Sequence, residues 1–384
     1  NQTLRAQKTL KLRCTNKITN IGSAVNSKYP DYEPILLWDE SIMFFTSRRG
    51  SGDDPTDPNG NYFEDIYWYI KTDNDWNPAK NLGFPVNTQT HEACLGVAPD
   101  LSSIFLYRTN EEGTGGGVYE AEYNAVTRKW NSPKLLKAAF NSKDPNVKTV
   151  CLIAAPDSNN YYFVSNMPGG YGGTDIWRIT RFANKEWSQP INLGPVINTP
   201  YDEDSPSFFP NEDVLYFSSR GHETIGDFDV FKSERWDTTW SKPENLGCPI
   251  NSVRDDRFFS ISSDGKRGYY STERSDSKGG TDIYQVEIME AAPEYRLIKG
   301  AVKDKQTGIP LFPEITLTDI QQKKVTGVYK PNKISGIFVL LANNSIEYLL
   351  EINLKGYKTF TKTILIPEDF NGEIPFENIQ LTHE

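Results

Sequence analysis

The residues of this chain best placed to do chemistry are carboxylates that stand at a repeated distance from an asparagine. Asn-Ser or Asn-Thr occurs at Asn26, Asn87, Asn141, Asn198 and Asn251, and five residues after each marker lie Asp31, Glu92, Asn146, Glu203 and Asp256. Asp202, Asp204 and Asp255 flank that set. A ring of acids with one neutral member offers three kinds of chemistry. It can bind backbone amides and hold loops in place. It can bind a cation or basic peptide through hard oxygen ligands. It can move protons at a glycosidic bond, which needs a pair of carboxylates. The ring follows the repeat register, whereas a catalytic set breaks symmetry with one distinctive residue. The five positions are therefore candidate binding residues, with repeated loop bonding as the first expectation. An asymmetric, pocketed acid pair would instead favour a glycan-binding or glycoside-hydrolysing protein.

Other reactive sets are weak. The three histidines, His91, His222 and His383, come with no Gly-x-Ser-x-Gly elbow, and there is no sialidase-type Ser-x-Asp-x-Gly-x-x-Trp box. Cys14, Cys94, Cys151 and Cys248 form no Cys-x-x-Cys pair, so no zinc site is expected. They are expected as buried free thiols, with Cys14 and Cys248 the one pair that closure of the repeats could bring together. The Gly-Gly-Thr-Asp segments Gly172 to Asp175 and Gly279 to Asp282 lack the lysine and the following helix of a phosphate loop. They read as turns, with glycines at positive φ and the Asp as a cap. No cofactor and no catalytic residue is expected. The net charge of −10 is spread along the chain, which argues against nucleic acid as a partner. No stretch approaches the ~18 apolar residues of a membrane-spanning helix, so no direct membrane insertion is expected.

What must position these residues is a repeat. Asn-Leu-Gly or Asn-Ile-Gly precedes four of the markers, at Asn20, Asn81, Asn192 and Asn245. Between them recur Phe44-Phe45-Thr46-Ser47-Arg48, Tyr162-Phe163-Val164-Ser165 and Leu215-Tyr216-Phe217-Ser218-Ser219, then Asp65-Ile66-Tyr67, Asp175-Ile176-Trp177, Asp229-Val230-Phe231 and Asp282-Ile283-Tyr284. Strand-like units repeating at 53 to 61 residues (the differences between successive markers) are the signature of a β-propeller. The second unit departs, with Gly117 where the Asp belongs. The fifth stops after its third strand, and Lys17 to Asn26 carries the missing outer strand. The expectation is an all-β chain: a five-bladed propeller over residues 17–290, closed by N-terminal strand exchange. Two polar loops, Ser51 to Tyr62 and Glu111 to Gly117, are the other candidate surfaces. Rhythm changes after Pro293, and residues 295–384 read as a β-sandwich of about seven strands. Residues 1–16 read as the residual helix of an upstream helical-repeat region.

These motifs carry a resemblance. Asp-Glu-x-x-Pro, Tyr-Phe-Ser-Ser, Gly-Gly-x-Asp-Ile-Tyr and Trp-x-x-Pro-x-Asn-Leu-Gly-x-x-Ile-Asn resemble the WD-repeat-like propellers of Bacteroidetes envelope lipoproteins. In that family a tetratricopeptide region precedes the propeller, and a carboxypeptidase-regulatory-like (transthyretin-like) β-sandwich and an OmpA-like domain follow it. Lys299 to Leu311 matches the start of such a sandwich. The resemblance implies a non-enzymatic protein-interaction scaffold of the type IX secretion system. It implies a periplasmic, outer-membrane-associated location and partners among envelope or secretion-system proteins. Peptidoglycan would be reached only through a domain outside this chain. On the recognition reading of the acid ring, neutralising Glu92, Glu203 and Asp256 together is expected to weaken partner capture and leave the fold intact.

Overall fold

The computed structural model describes residues 16–384 apart from 51–53, 73–74, 77, 112, 114, 156–158, 210–211, 237, 289–294, 368–373 and 375. The helix expected over residues 1–16 lies, but for Asn16, outside the described residues. Among the described residues there are strands and turns and no helix, and the strands form seven sheets. The chain divides into two compact units, one from residues 1–97, 103–122 and 130–290, the other from 98–102, 123–129 and 291–384.

The first unit repeats one plan. Its sheets begin with the inner strands Asp31–Leu36, Glu92–Val97, Thr149–Ala154, Glu203–Phe208 and Arg257–Ile261. Each pairs antiparallel with a second strand, the second with a third, and the third with a short outer strand. The second strands Ile42–Ser47 and Val214–Ser219 are buried along nearly their whole length, as apolar runs covered on both faces should be. The inner strands touch one another in a cycle: first with second, second with third, and so on until the fifth meets the first. That is an arrangement of the β-propeller kind. Apolar side chains fill the space between successive sheets. Cys151, Tyr162, Val164 and Ile176 of the third pack on Leu215, Phe217 and Phe231 of the fourth. Fully burying each such side chain contributes about 1.5–3 kcal/mol.

The repeated asparagines fasten each sheet to the next turn of chain. Asn26 accepts from the Ile283 N–H at 2.9 Å and donates to the Ile283 carbonyl at 2.8 Å. Asn87 does the same to Ile66, Asn141 to Val118, Asn198 to Ile176 and Asn251 to Val230. Only a side chain with an in-plane donor and acceptor can do this, and the carboxamide has both. The asparagine of each Asn-Leu-Gly step locks the marker. Asn20, Asn81, Asn192 and Asn245 donate to Asp282, Asp65, Asp175 and Asp229, each at 2.7 Å. Their Oδ1 atoms accept from the marker carboxamide and from the glycine N–H two residues on. Those glycines sit at positive φ, from 64° at Gly247 to 86° at Gly22.

The Gly-Gly-Thr-Asp turns are capped by their aspartates: Asp175 accepts from the Tyr171 and Gly172 N–H groups, and Asp282 from Lys278 and Gly279. The first glycine is required for a different reason from the one read in the sequence. A Cβ on Gly172 would stand 2.3 Å from the Thr199 and Tyr201 carbonyl oxygens, so close backbone approach, not positive φ, excludes a side chain there. Gly280 alone of these shows the left-handed φ, +90°.

The fifth sheet is completed from the other end of the chain. Ile18–Asn20 pairs antiparallel with Asp282–Glu287, setting Ile18 opposite Val286 and Asn20 opposite Tyr284. The second unit holds a three-stranded and a four-stranded sheet, with strand Tyr295–Asp304 running parallel to Glu377–Leu381. Alternating residues of both sheets, among them Ile298, Val302, Ile315, Leu317, Phe338 and Leu350, enter one buried cluster.

Replacing Asn26 by alanine leaves the buried Ile283 N–H unpaired at the junction of the chain's two ends, and its carbonyl with only the Ile21 N–H at 3.4 Å. Asn26→Ala is expected to lower unfolding free energy by about 1–3 kcal/mol, read from urea denaturation. A loss below about 0.5 kcal/mol, the size of an ordinary surface change, would remove the carboxamide from its role.

Candidate functional site

Four of the five repeat-register residues are fully buried carboxylates that hold the loop behind them. Asp31 accepts from the Ser27 N–H at 2.5 Å and is paired with Arg49. Glu92 accepts from the Thr88 N–H at 2.9 Å, from the Thr88 and Thr90 hydroxyls, and from Arg108 at 2.9 Å. Glu203 accepts from the Thr199 N–H at 2.8 Å and from the Thr199 and Ser219 hydroxyls. Asp256 accepts from the Ser252 N–H at 2.7 Å and the Ser252 hydroxyl at 2.9 Å. The Ser or Thr after each marker Asn is thus the partner of the acid four residues later. Asn146 stands apart. It is exposed, caps onto Asp144, and precedes its strand by three residues, because that strand starts at Thr149.

A second layer of donors ties the same loops from above. Arg49, Arg108 and Arg274 reach the carbonyls of Val25, Val86 and Ile250, the residues just before three markers. In the fourth sheet His222 takes that place, with Nε2 2.9 Å from the Ile197 carbonyl, so Nε2 carries the proton. Burial holds its pKa below the usual value, which keeps it neutral.

The register positions do not line an open mouth; their neighbours do. At this end of the sheets lies a cavity of about 810 Å³, lined by Tyr32, Glu33, Tyr107, Asp204, Arg257 and Phe258 among others. β-bulges make it. The register shifts between Tyr32 and Ile35, between Asp204 and Ser207, and between Arg257 and Ser260. Glu33, Ser205 and Phe258 there take φ of 59°, 50° and 58°. An inserted residue breaks the strict in-out alternation and re-aims the side chains around it. Asp204 was legible as a flanking acid; Glu33 was not, since parity along the strand hides a residue that only a bulge turns inward.

Asp204 pairs with Arg257 at 3.3 Å, and the Arg257 guanidinium lies over the rings of Phe228 and Phe258. Among the described residues Glu33 has a single side-chain hydrogen bond, from Thr46 Oγ1 at 3.4 Å. Burial, then the nearby Asp204 charge, pushes the Glu33 carboxyl well above the usual carboxylate range, which favours its protonated form. Burial raises Asp204 as well, against the pull of Arg257. Beside them Tyr32 donates to Glu64 at 2.5 Å and Arg48 reaches the same carboxylate at 2.8 Å. Burial works against the Glu64 charge, yet these bonds hold its pKa below the ordinary value. His91 Nδ1 stands 3.2 Å from the Glu64 N–H and 3.2 Å from the Glu64 carboxylate.

Cys94 and Cys151 are free and buried, their thiols pushed up by burial. Cys248 is disulfide-bonded, which corrects the expectation of free thiols throughout; Cys14 lies outside the described residues. Among the described residues no group of His, Cys, Asp and Glu could hold a metal ion. The polar loops 51–62 and 111–117 fall partly outside the described residues.

No family model and no curated protein matches the chain. A putative TolB from Agrobacterium tumefaciens is 13% identical, covering 85% of this chain and 97% of its own, at a TM-score of 0.41. A glycoside hydrolase is 12% identical over 75% and 96%, at 0.48. The β-propeller domain of the Trilobed protease from Pyrococcus furiosus is 13% identical over 88% and 83%, at 0.31. Likeness at this level identifies no activity.

Because the four acids are buried and bonded to loops, neutralising them acts on stability before it acts on recognition. Burial raises Glu203 to about 7 and Asp256 to about 6. Their unfolded values lie near 4, so between roughly pH 4.5 and pH 7 the folded chain binds more protons, and these groups lose stability as pH rises. Glu203→Gln mimics the protonated form. The variant is expected to flatten the fall in unfolding free energy between pH 5 and pH 8 by about 2–3 kcal/mol, measured by denaturant titration. An unchanged slope would mean Glu203 is not the group responsible.

Proposed function

We propose that the chain is a non-enzymatic protein-interaction scaffold: a five-bladed propeller closed by its N-terminal strand, followed by a seven-stranded sandwich of the carboxypeptidase-regulatory-like kind. The cycle of inner-strand contacts and the strand shared between the chain's two ends support the five-bladed reading. The shared core of a three-stranded and a four-stranded sheet supports the sandwich. One observation carries the scaffold reading most directly. The repeat-register carboxylates, which would have to be free for a repeated catalytic or cation-binding role, are engaged in holding loops.

Among polar side chains such as Gln89 and Arg254, those loops present large apolar ones outward. Phe84 is 87% exposed, Tyr201 62% and Val253 72%, and each belongs to a segment around a marker asparagine. These segments join an outer strand to the next inner strand, so they share one end of the sheets. Large apolar side chains gathered on rigidly held loops suit a protein partner. On the strength of the motif resemblance, with which these exposed side chains are consistent, we read the chain as a peptidoglycan-tethered, PorE-like component of the type IX secretion system. In that setting it would work at the periplasmic side of the outer membrane.

Photo-crosslinking residues at Tyr201 and Val253, introduced in a Bacteroidetes cell, are expected to capture secretion-machinery proteins. The same probe at Phe182, which is exposed in a turn at the opposite end of its sheet, should capture them at roughly a tenth of that level or less. Equal capture from both ends, or no secretion protein from either, would defeat the reading.

A further inference from the structure

We propose that the cavity between Glu33 and Asp204 is a binding site for a neutral saccharide, held by hydrogen bonds with both carboxyl groups and Arg257 and packed against Phe258. The inference goes beyond the scaffold reading and does not depend on it.

Three observations meet here. The cavity, about 810 Å³, lies within the range of ligand pockets, roughly 300–1,000 Å³. It is asymmetric, although its setting is repetitive. The acids face it from the first and fourth inner strands. The corresponding stretches of the second and third carry Cys94, Leu95, Cys151 and Leu152. Its outer wall is built where the repeat fails, from Gly115, Gly116 and Gly117 and from the segment around Asp144 to Lys148. Finally, Glu33 is 5% exposed, and its one hydrogen bond leaves the other carboxyl oxygen with no protein partner among the described residues. That oxygen is not sealed within the protein, so a molecule in the cavity can reach it and bond to it.

The chemistry of the walls narrows the ligand. A cation gains little, because burial disfavours a charge on Glu33 and Arg257 already offsets Asp204. An anion would meet Asp204. A wholly apolar ligand would strip water from Glu33 and Arg257 without replacing its bonds. A sugar offers what the walls lack: vicinal hydroxyls that donate to Asp204, accept from Arg257 and exchange hydrogen bonds with the Glu33 carboxyl. Its C–H face suits the Phe258 ring, which lies 6.1 Å from Tyr32 at a tilt of 33°.

The test is calorimetric titration of the whole chain, at pH 7, with the hexasaccharides of cellulose, xylan, mannan, starch and chitin. At least one is expected to bind. Glu33→Gly removes the carboxyl while suiting the left-handed backbone, and Arg257→Met removes the guanidinium from the other side. Each should weaken binding by roughly tenfold or more, the size of one or two lost hydrogen bonds. Glu33→Gln, which keeps a donor and an acceptor, should retain binding within about threefold. Thermal melting of each variant confirms the fold; if Glu33→Gly fails to fold, the Gln and Met variants still decide. No binding by any sugar, binding indifferent to both sides of the cavity, or preference for hexalysine would each overturn the proposal.

Discussion

The interaction on which the first unit depends is a carboxamide standing in for a strand residue. Outer strands here are only two or three residues long, as at Lys80–Asn81, Ile191–Asn192, Glu244–Asn245 and Ile18–Asn20. Each covers two or three positions of its neighbour, such as Trp177 and Arg178. The next backbone N–H along that edge, that of Ile176, would be left open, and its carbonyl would have only the Leu193 N–H at 3.2 Å. Asn198 fills the gap with its side chain, and the same happens at Ile66, Val118, Val230 and Ile283. A paired edge without a long strand leaves the chain free to turn at once toward the next inner strand, which is how a 53- to 61-residue repeat fits a full sheet and a crossing loop.

Other features follow from holding that crossing loop still. The hydroxyl residue after the marker needs an acceptor, and a buried acid supplies it; the acid needs compensation, and Arg49 or Arg108 supplies that while also binding the loop's carbonyls. Where no arginine is in hydrogen-bond reach, as at Glu203, hydroxyls do the work and the carboxyl's proton affinity rises. In the second sheet Gly117 and Leu135 stand where Asp and Asn should, and Asn141 turns to the Leu136 carbonyl instead. The segment after it has no buried acid to hold it, and it becomes cavity wall.

Much of this was legible in the sequence because the pins are single residues at fixed spacing. The marker asparagines, the Asn-Leu-Gly steps and the third-strand aspartates all fall where the repeat places them, and Lys17 to Asn26 contains the strand that meets residues 282–287. Less visible was what each residue does. A periodic acid looks the same in sequence whether it faces a channel or a loop amide; only burial decides, and Asp31, Glu92, Glu203 and Asp256 face loops. Gly172 reads as a positive-φ glycine, yet it is there for a carbonyl 2.3 Å from its absent Cβ. Glu33 escaped because a bulge, which leaves no composition signal, changes which side of the strand it serves.

Glu33 is also the acid the fold explains least. Each repeat-register carboxylate returns something for being buried: a held loop, a bound hydroxyl, a paired arginine. Glu33 sits at φ +59° in a residue type that disfavours it, is only 5% exposed, and receives among the described residues one long bond from Thr46. Left-handed backbone at a non-glycine residue costs of order 1–3 kcal/mol, which one long bond does little to offset. Glycine or an apolar residue at that position would satisfy the bulge and the packing at less cost. A strained, under-bonded acid on a cavity wall is therefore better accounted for by what enters the cavity than by the stability of the sheets around it.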